Sequence, residues 1–346
     1  MEVPHLRISI GENEIIEGAK NILPVFRPDW NLESVKFKIF TDGITNKLLG
    51  CFNGSQESDV VLIRVYGNKT DLLIDRKAET RNFKLLNAAG LAPRLYGTFD
   101  SGLVYEYVEG EVLTVETCRV ERIYTLVAQT MADMHCVRTS GDTDVQPTLW
   151  LKLRQFLDLV PVKFTDSGKD ARFNQFFKKS VLEEEFSFLK KELSALESPS
   201  VFCHNDLLLG NIIYSEKKNS VTFIDYEYAS YNYQAYDIAN HFNEFAGVET
   251  VDYSLYPDET YQFHWLRIYL ERFHKNISGG KQTTITNEEI QRLFDTVQKF
   301  TLASHFLWGI WALIQTEYSA IDFDFLNYAF IRFKEYFARK SNIFHC

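Results

Sequence analysis

The stretch VFCHNDLLLGNIIYSEKKNSVTFIDYEYAS, residues 201–230, contains two acidic residues that each follow an apolar run. Asp206 comes two places after His204, and Asn211 comes five places after Asp206. Asp225 ends the second apolar run. We expect strands at VFCHND and VTFID, with the turn SEKKNS bringing both carboxylates to the same edge. The stretch therefore predicts a site built from two carboxylates and an amide.

The pattern H-x-D-x-x-x-x-N, followed by an acid at a strand end, is typical of kinase-type phosphoryl transfer. In that chemistry one aspartate accepts the proton of the attacking hydroxyl, and Asp206 is the candidate for this catalytic base. Asn211 and Asp225 offer hard oxygen ligands that suit Mg²⁺ bound to the phosphates of ATP. The alternative is that Asp206 and Asn211 only cap or turn the backbone, as Asx residues often do.

Composition and charge narrow the class of protein. A chain of 346 residues is long enough for two packed lobes. Its net charge of −10 argues against a nucleic-acid partner and is compatible with a small cationic ligand. The five cysteines are scattered without a C-x-x-C pair, so neither a disulfide framework nor a zinc site is indicated. With no signal-peptide pattern and no apolar run long enough for a membrane span, we expect a cytoplasmic protein.

The first part of the chain has the pattern of a sheet with one helix. Three runs read as strands of an antiparallel meander, at residues 35–41, 47–52 and 59–66. DRKAETRNFKLLNAAG predicts a helix that Asp75 caps and Gly90 ends. RLYGTF and LVYEYV form a predicted hairpin. The composition changes at Glu109, so we expect an N-terminal lobe over residues 1–109, an antiparallel sheet plus helix.

Helical periodicity prevails in the predicted C-terminal lobe, residues 110–346. ERIYTLVAQTMADMHCV and VLEEEFSFLKKELSAL predict helices, and residues 261–340 are helical and rich in aromatic residues. Residues 137–148 read as a polar loop, and residues 165–180 as a charged connection with little pattern. A sheet lobe followed by a mainly helical lobe makes the predicted fold class α+β.

One strand of the N-terminal lobe carries a charge in an apolar setting. Arg64 alternates away from the apolar face of its strand, where it is either a phosphate clamp or a lone surface charge. Glu79 on the following helix is placed to pair with it, as a helix glutamate pairs with the strand lysine in kinases. TDGITN, residues 41–46, reads as a phosphate-covering loop or as an ordinary hairpin turn. The loop candidates are Gly43, Thr45 and Asn46.

With these residues in place, the chain resembles the choline/ethanolamine kinase family from about residue 35 to about residue 340. The resemblance runs through FTDGITNKLLGCF, VLIRVYGNKTDLLIDR, CHNDLLLGNIIY, FIDYEYASYNYQAYDIANHFNEFAGV, DYSLYPD and ASHFLWGIWALIQ. It implies a two-lobed protein-kinase-like fold with an ATP-binding N-terminal lobe. It also implies transfer of the γ-phosphate of ATP to the hydroxyl of ethanolamine. The product, phosphoethanolamine, begins phosphatidylethanolamine synthesis by the CDP-ethanolamine route.

The resemblance also assigns roles to residues of the phosphoryl-transfer site. It implies Asp206 as the base and Asn211 and Asp225 at Mg²⁺. Arg64 takes the place of the strand lysine of protein kinases. The backbone around Glu106 to Val108 would receive adenine, so ATP and Mg²⁺ are the implied cofactors.

An amine pocket is implied at Glu244, Trp308, Trp311 and Tyr328. The two tryptophans are three residues apart on one predicted helix, so their rings can share a face. Aromatic faces attract a cation with about 0.5–2 kcal/mol per ring contact. Tryptophans at helical spacing are also common in cores, which is the alternative for this pair. The resemblance favours the pocket.

Other polar residues of the same region are interpreted as supporting groups. Glu227 is expected to be structural, and His204 is expected to orient the catalytic loop. His241, His264 and His305 are interpreted as packing or surface residues.

Three alternatives to the phosphorylation of ethanolamine stay open. The first is a choline or broad amino-alcohol kinase, because the choice of ethanolamine rests on similarity in GITNKLLGCF and NHFNEFAGV. An antibiotic phosphotransferase shares the catalytic-loop pattern. A pseudokinase that only binds partners is the third, although Arg64, Asp206, Asn211 and Asp225 are all present. The oligomeric state stays open as well, with a homodimer as one option.

Overall fold

The structure is a computed structural model that describes residues 3–40, 46–54, 59–67, 72–139, 145–281 and 284–344. The chain forms two compact units, Met1–Gly110 and Glu111–Cys346. The sequence analysis sets the boundary after Glu109. None of the helices in the described ranges has the length and apolar character that crossing a membrane requires.

The N-terminal unit is built on a six-stranded sheet. Its strands are β1 (His5–Leu6), β2 (Val35–Phe40), β3 (Asn46–Asn53), β4 (Val60–Tyr66), β5 (Leu95–Phe99) and β6 (Gly102–Glu106). They lie in the order β1-β5-β6-β4-β3-β2. The predicted meander β2-β3-β4 and the hairpin β5-β6 are confirmed as antiparallel. The sheet is not wholly antiparallel as predicted, because β1 pairs with β5 in parallel. The two-residue β1 is too short to give a strand pattern in the sequence.

Strand β4 places Arg64 on one face and an apolar row on the other. Val61, Ile63 and Val65 are buried in a core cluster that also takes in apolar residues of helix α1 (Ile15–Phe26). Because side chains alternate between the two faces of a strand, Arg64 points to the opposite face. The pairing of β4 with β6 needs a glycine at 102, since a Cβ there would lie 2.0 Å from the carbonyl oxygen of Arg64.

Helix α2 (Arg76–Ala88) begins and ends where the sequence predicts. The carboxylate of Asp75 caps it by accepting from the backbone N–H groups of Lys77 and Ala78, each at 3.0 Å. Gly90 follows its end with a φ of +75°, a conformation that glycine adopts without strain. The cap sets the first turn, which carries Glu79.

The C-terminal unit is mainly helical, as expected. Its strands are β7 (Glu111–Val112), β8 (Ser200–Cys203), β9 (Ile212–Ser215), β10 (Ser220–Phe223) and β11 (Ser230–Tyr233). Its helices are α3 (Glu121–His135), α4 (Leu149–Leu159), α5 (Ser167–Phe176), α6 (Lys179–Ser194), α7 (Gln234–Asn243), α8 (Glu259–Ile277), α9 (Asn287–Tyr318) and α10 (Phe325–Phe344). The strands form two small antiparallel sheets, β10-β9-β7 and β11-β8.

The expectation of an unpatterned connection over residues 165–180 is wrong, because helix α5 lies within it. Asp166 caps this helix by accepting from the backbone N–H of Lys169 at 2.8 Å. Phe173 is its only fully buried residue. A helix that buries one side chain gives almost no hydrophobic periodicity, which is why the sequence does not reveal it.

Cys51, Cys118, Cys136 and Cys203, the cysteines within the described ranges, are all free.

Candidate active site

The catalytic-loop pattern lies between β8 and β9, and its strands pair differently from the prediction. The turn at 216–219 joins β9 to β10, whereas β8 pairs with β11. The two aspartates therefore follow strands of different sheets, and the hairpin connects Asn211 with Asp225 instead. The backbone N–H of Ile224 donates to the carbonyl of Asn211 at 3.0 Å, which holds these two segments together.

Asp237, which the sequence analysis did not select, anchors the start of the catalytic loop. Its carboxylate accepts from the backbone N–H groups of His204 at 2.8 Å and Asn205 at 2.7 Å. His135 lies against the same carboxylate at 3.0 Å. Asn205 has a φ of +67°, which is costly for a residue other than glycine. The two charge-assisted hydrogen bonds stabilise this backbone conformation.

The buried carboxylate of Asp237 is held in its ionised form. Burial by itself raises the pKa of Asp237, but the hydrogen bond and charge of His135 lower it, and the net pKa lies below the usual value. An ionised group accepts two backbone N–H bonds at once, as the loop conformation requires.

Three side chains tie the loop to its surroundings. His204 donates from Nε2 to the carbonyl of Ile224 at 2.9 Å, next to Asp225. Asn211 donates from Nδ2 to the carbonyl of Asp206 at 2.9 Å. His241 donates from Nδ1 to the carbonyl of Leu207 at 3.0 Å. His241 is interpreted from the sequence as a packing or surface residue. The structure adds a second role, because its hydrogen bond to Leu207 also holds the loop that carries Asp206.

The carboxylate of Asp206 lies among other acids. Burial raises the pKa of Asp206 well above its usual value, and neighbouring carboxylates raise it further. In order of their effect these are Glu244, Asp225, Glu227 and Asp237. The structure thus brings three predicted site residues, Asp206, Asp225 and Glu244, into one electrostatic environment. A site of this kind favours cations.

Asp225 has an unusual backbone conformation at the end of the second apolar run. Its φ of +63° lies in the left-handed region, as does that of Asn205. Strained backbone of this type clusters at functional sites, where the surrounding contacts must hold it.

The tryptophans of the predicted amine pocket form an aromatic group with Tyr228, which the sequence analysis did not select. The ring centroids of Trp308 and Trp311 are 5.7 Å apart with the planes at 76°, and Tyr228 lies 5.4 Å from Trp308. Trp311 donates from Nε1 to the hydroxyl of Tyr228 at 3.0 Å. Burial, Glu227 and Asp206 raise the pKa of Tyr228, which places this aromatic group near the carboxylate of Asp206.

Glu244 and Tyr328 meet at a buried arginine. Arg332 donates from Nη1 to Glu244 Oε1 at 2.9 Å and to the hydroxyl of Tyr328 at 3.3 Å. Glu244 and Tyr328 are each 5% exposed. The four residues predicted for the amine pocket therefore form two neighbouring groups, an aromatic pair and an acid–phenol pair.

In the N-terminal unit the predicted ion pair between Arg64 and Glu79 is confirmed. Arg64 donates from Nη2 to Glu79 Oε1, and both side chains are buried. Arg76, which the sequence analysis did not select, bonds the other oxygen of Glu79 at 3.0 Å and stacks on Tyr66 at 3.9 Å. Arg76 also reaches Oδ1 of Asn46 at 3.5 Å.

The remaining N-terminal candidates are only partly described. Gly43 and Thr45 lie outside the described residues. Glu106 ends β6, and its backbone N–H donates to the carbonyl of Arg94 at 2.8 Å, so this N–H is already engaged. Val108 is half-buried.

A sheet unit with a buried arginine–glutamate pair and a helical unit with the H-x-D-x-x-x-x-N loop define a protein-kinase-like fold. A family model described as Choline/ethanolamine kinase matches residues 37–337. The chain belongs to the choline/ethanolamine kinase family.

Individual relatives cover nearly the whole chain. It is 48% identical to a Homo sapiens protein named Ethanolamine kinase 1, over 99% of this chain and 76% of that protein. It is 50% identical to the Homo sapiens protein named Ethanolamine kinase 2, over 98% of this chain and 84% of that protein. Among solved structures, it is similar to an ethanolamine kinase of Plasmodium vivax with 29% identity and a TM-score of 0.81. That match covers 94% of this chain and 89% of the other.

Proposed function

We propose that the protein is an ATP-dependent kinase that phosphorylates the hydroxyl of ethanolamine to give phosphoethanolamine, a precursor for phospholipid synthesis. The observation that carries this proposal is the placement of Asp206. It shares its electrostatic environment with Asp225, a candidate metal ligand, and with Glu244 and Tyr228, which belong to the predicted amine-binding region. The full-length similarity to proteins named ethanolamine kinase supports the choice of substrate.

Asp206 acts as the base in this proposal. It accepts the proton of the substrate hydroxyl as that oxygen attacks the γ-phosphorus, and the bond from phosphorus to the ADP oxygen breaks. Burial and the neighbouring carboxylates raise the pKa of Asp206 well above its usual value, so its carboxylate accepts a proton more readily than an exposed aspartate would.

Asn211 and Asp225 have the donor atoms that a magnesium site needs. Asn211 uses its amide nitrogen for the carbonyl of Asp206, which leaves its oxygen for a metal ion. Asp225 adds a carboxylate, and oxygen ligands are those that Mg²⁺ prefers. A bound Mg²⁺ would supply positive charge to the phosphate oxygens of ATP.

The N-terminal unit supplies the candidate nucleotide-binding groups. Arg64, fixed by Glu79, is the candidate contact to a phosphate, and Gly43, Thr45 and Asn46 belong to the candidate phosphate loop. The buried carboxylate of Glu79 fixes the orientation of the Arg64 guanidinium. The backbone around Glu106 to Val108 is the candidate adenine contact.

Ethanolamine enters the proposal as a small cation. The rings of Trp308, Trp311 and Tyr328 offer aromatic faces, and Glu244 offers a negative charge. A primary ammonium has three N–H donors that need acceptors, whereas a quaternary ammonium needs only aromatic walls. Because both kinds of group are present, choline is the competing substrate.

The test is a phosphotransfer assay with ATP, Mg²⁺ and a panel of amino alcohols. We expect the highest kcat/KM for ethanolamine, and Asp206→Asn should lower kcat by about 10²–10⁴-fold because a positioned base contributes that much. Asp206→Asn should largely spare ATP binding. A clear preference for choline would replace the substrate, and near-normal turnover of Asp206→Asn would remove Asp206 from the role of base.

A further inference from the structure

A single buried cation bonds both members of the acid–phenol pair. Arg332 of α10 is 1% exposed. Its Nη1 donates to Glu244 Oε1 at 2.9 Å and to the hydroxyl of Tyr328 at 3.3 Å, and its Nη2 donates to Ser304 Oγ at 3.3 Å. Glu244 and Tyr328 are both among the candidate amine-binding residues. Arg332 therefore sits behind them with its donors directed to each.

The network continues from Ser304 to the aromatic pair. Ser304 donates from Oγ to Asn240 Oδ1 at 2.9 Å, and Trp308 donates from Nε1 to the same oxygen at 2.7 Å. Arg332 is thus linked by direct contacts to two candidate amine-binding residues, and through two short polar side chains to a third, Trp308.

If Arg332 served only to stabilise the fold, the burial of its charge would be unfavourable. Moving a guanidinium out of water costs several kcal/mol, and an apolar side chain of similar volume often packs at least as well. The compensation is also incomplete, because Nε of Arg332 makes no hydrogen bond to the described residues. We therefore look for the role of Arg332 in the side chains that it orients, and not in the stability of the fold.

The contact to Glu244 leaves one carboxylate oxygen for a ligand. Oε1 is held by Arg332, and no hydrogen bond reaches Oε2 within the described ranges. A carboxylate held through one oxygen cannot rotate freely, so the direction of the second oxygen is fixed. An ammonium group that donates an N–H to Oε2 would then meet an acceptor already in place, which lowers the entropic cost of binding.

Building on the proposed function, we propose that Arg332 is a positioning residue for the amine substrate. It fixes Glu244 and Tyr328 directly, and Trp308 through Ser304 and Asn240, so that acceptor and aromatic faces are preset for a small ammonium group. It does not touch the reacting atoms, and it acts only through the groups that hold the amine. Its loss should therefore change amine binding without changing nucleotide binding.

The experiment compares KM for ethanolamine, KM for ATP and kcat in Arg332→Met, Arg332→Lys and Ser304→Ala. Arg332→Met should raise KM for ethanolamine by at least about tenfold, since a hydrogen bond to a charged group is lost and the carboxylate is released. Arg332→Lys keeps the charge but not the planar fork, so it should restore part of the effect. Ser304→Ala removes the hydroxyl that accepts from Arg332 and donates to Asn240, and it should raise the same KM by about 2–10-fold.

Ser304→Ala keeps the test decisive if Arg332→Met does not fold, because it removes one hydroxyl and no charge. Arg154→Met is the control: Arg154 also donates to a carboxylate, that of Glu183, but it lies outside the candidate amine-binding residues and should leave both KM values unchanged. An unchanged KM for ethanolamine in Ser304→Ala and Arg332→Lys would overturn the inference, as would an equal rise in KM for ATP. Absence of ethanolamine phosphorylation in the unaltered protein would instead overturn the proposed function.

Discussion

Asn211 donates a hydrogen bond from its side-chain nitrogen to the backbone carbonyl of Asp206 at 2.9 Å. This contact fixes the orientation of the Asn211 side-chain amide. Because the nitrogen is engaged, the oxygen is the atom left for a cation, and in the described ranges no hydrogen bond reaches it. This contact therefore supports the proposal that the side-chain oxygen of Asn211 binds a metal ion.

From this geometry we predict that Asn211→Ala weakens the response of the enzyme to Mg²⁺. The free Mg²⁺ concentration that gives half-maximal activity should rise by at least about tenfold, because an oxygen ligand and its orienting contact are both lost. The measurement is initial rate against free Mg²⁺ at saturating ATP and ethanolamine.

Asn174→Ala is the control for this prediction. Asn174 also donates to a backbone carbonyl, that of Asp170, but it lies in α5 at the surface. Its variant should keep the Mg²⁺ response of the unaltered protein. If Asn211→Ala and Asn174→Ala respond alike, Asn211 does not hold the metal.

Much of the N-terminal unit follows from the sequence, because its signals are local. The cap at Asp75, the glycine at 90 and the apolar rows of the strands each depend on a few neighbouring residues, and the Arg64–Glu79 pair follows once strand and helix are placed. Strand β1 is missed because its two residues carry no pattern of their own. It forms only where β5 offers a free edge.

The C-terminal site is less predictable, because its supporting contacts join residues far apart in the chain. Asp237 and His135 are 102 positions apart, and Arg332 and Glu244 are 88 apart. The one signal available is a charged residue inside an apolar helical segment, as in AYDIAN for Asp237 and FIRF for Arg332. That signal indicates a buried polar contact, but not its partner.

The pairing of strands near the catalytic loop shows the same limit. VFCHND and VTFID both contain strands, β8 and β10, but these two strands do not pair with each other. β10 pairs with β9 in a local hairpin, and β8 pairs with β11. The sequence predicts the strands but not their partners, because either pairing would bury the same apolar side chains.

We predict that Asp237→Asn lowers both stability and turnover. The side-chain oxygen of asparagine can still accept one of the two backbone N–H bonds. Its amide nitrogen would face the other backbone N–H, and two donors cannot bond each other. The free energy of unfolding should fall by about 2–4 kcal/mol, as expected for losing a charge-assisted hydrogen bond to a buried group. Urea unfolding measures this, and kcat for ethanolamine should fall because the loop carrying Asp206 loses an anchor.

Asp252→Asn serves as the comparison for Asp237→Asn. Asp252 also accepts from a backbone N–H, that of Ser254, but it is exposed. We expect its variant to stay close to the unaltered protein in stability and in kcat. An Asp237→Asn variant as stable and as active as Asp252→Asn would show that the anchor is not needed.

A substitution in the aromatic group of Trp308, Trp311 and Tyr228 can show whether these rings bind the amine or only pack in the core. Trp311→Leu should raise KM for ethanolamine by about 2–30-fold, the equivalent of one ring contact with a cation, and leave KM for ATP unchanged. Trp265 of α8 is a buried tryptophan stacked on Tyr269, with no predicted role in binding. Trp265→Leu should lower stability while both KM values stay the same. Equal effects of the two variants on KM would favour the core interpretation of Trp311.

The burial of His241 predicts a dependence of stability on pH. Burial lowers the pKa of His241 from 6.5 to about 4. Between these values the unfolded chain binds a proton that folded His241 does not, so the free energy of unfolding falls as the pH drops below 6.5. At pH 5 this histidine should account for a loss of about 2 kcal/mol relative to pH 7.

His241→Asn tests this contribution because asparagine can still donate to the carbonyl of Leu207 but does not titrate. The variant should be less stable at pH 7, since it loses ring packing against Phe245 and Trp265. Its loss of stability between pH 7 and pH 5, measured by urea unfolding, should be smaller than that of the unaltered protein by about 2 kcal/mol. His264→Asn, which removes an exposed histidine of α8, controls for the loss of an imidazole as such. If His241→Asn keeps the full dependence on pH, the imidazole of His241 is not the group that makes the fold sensitive to acid.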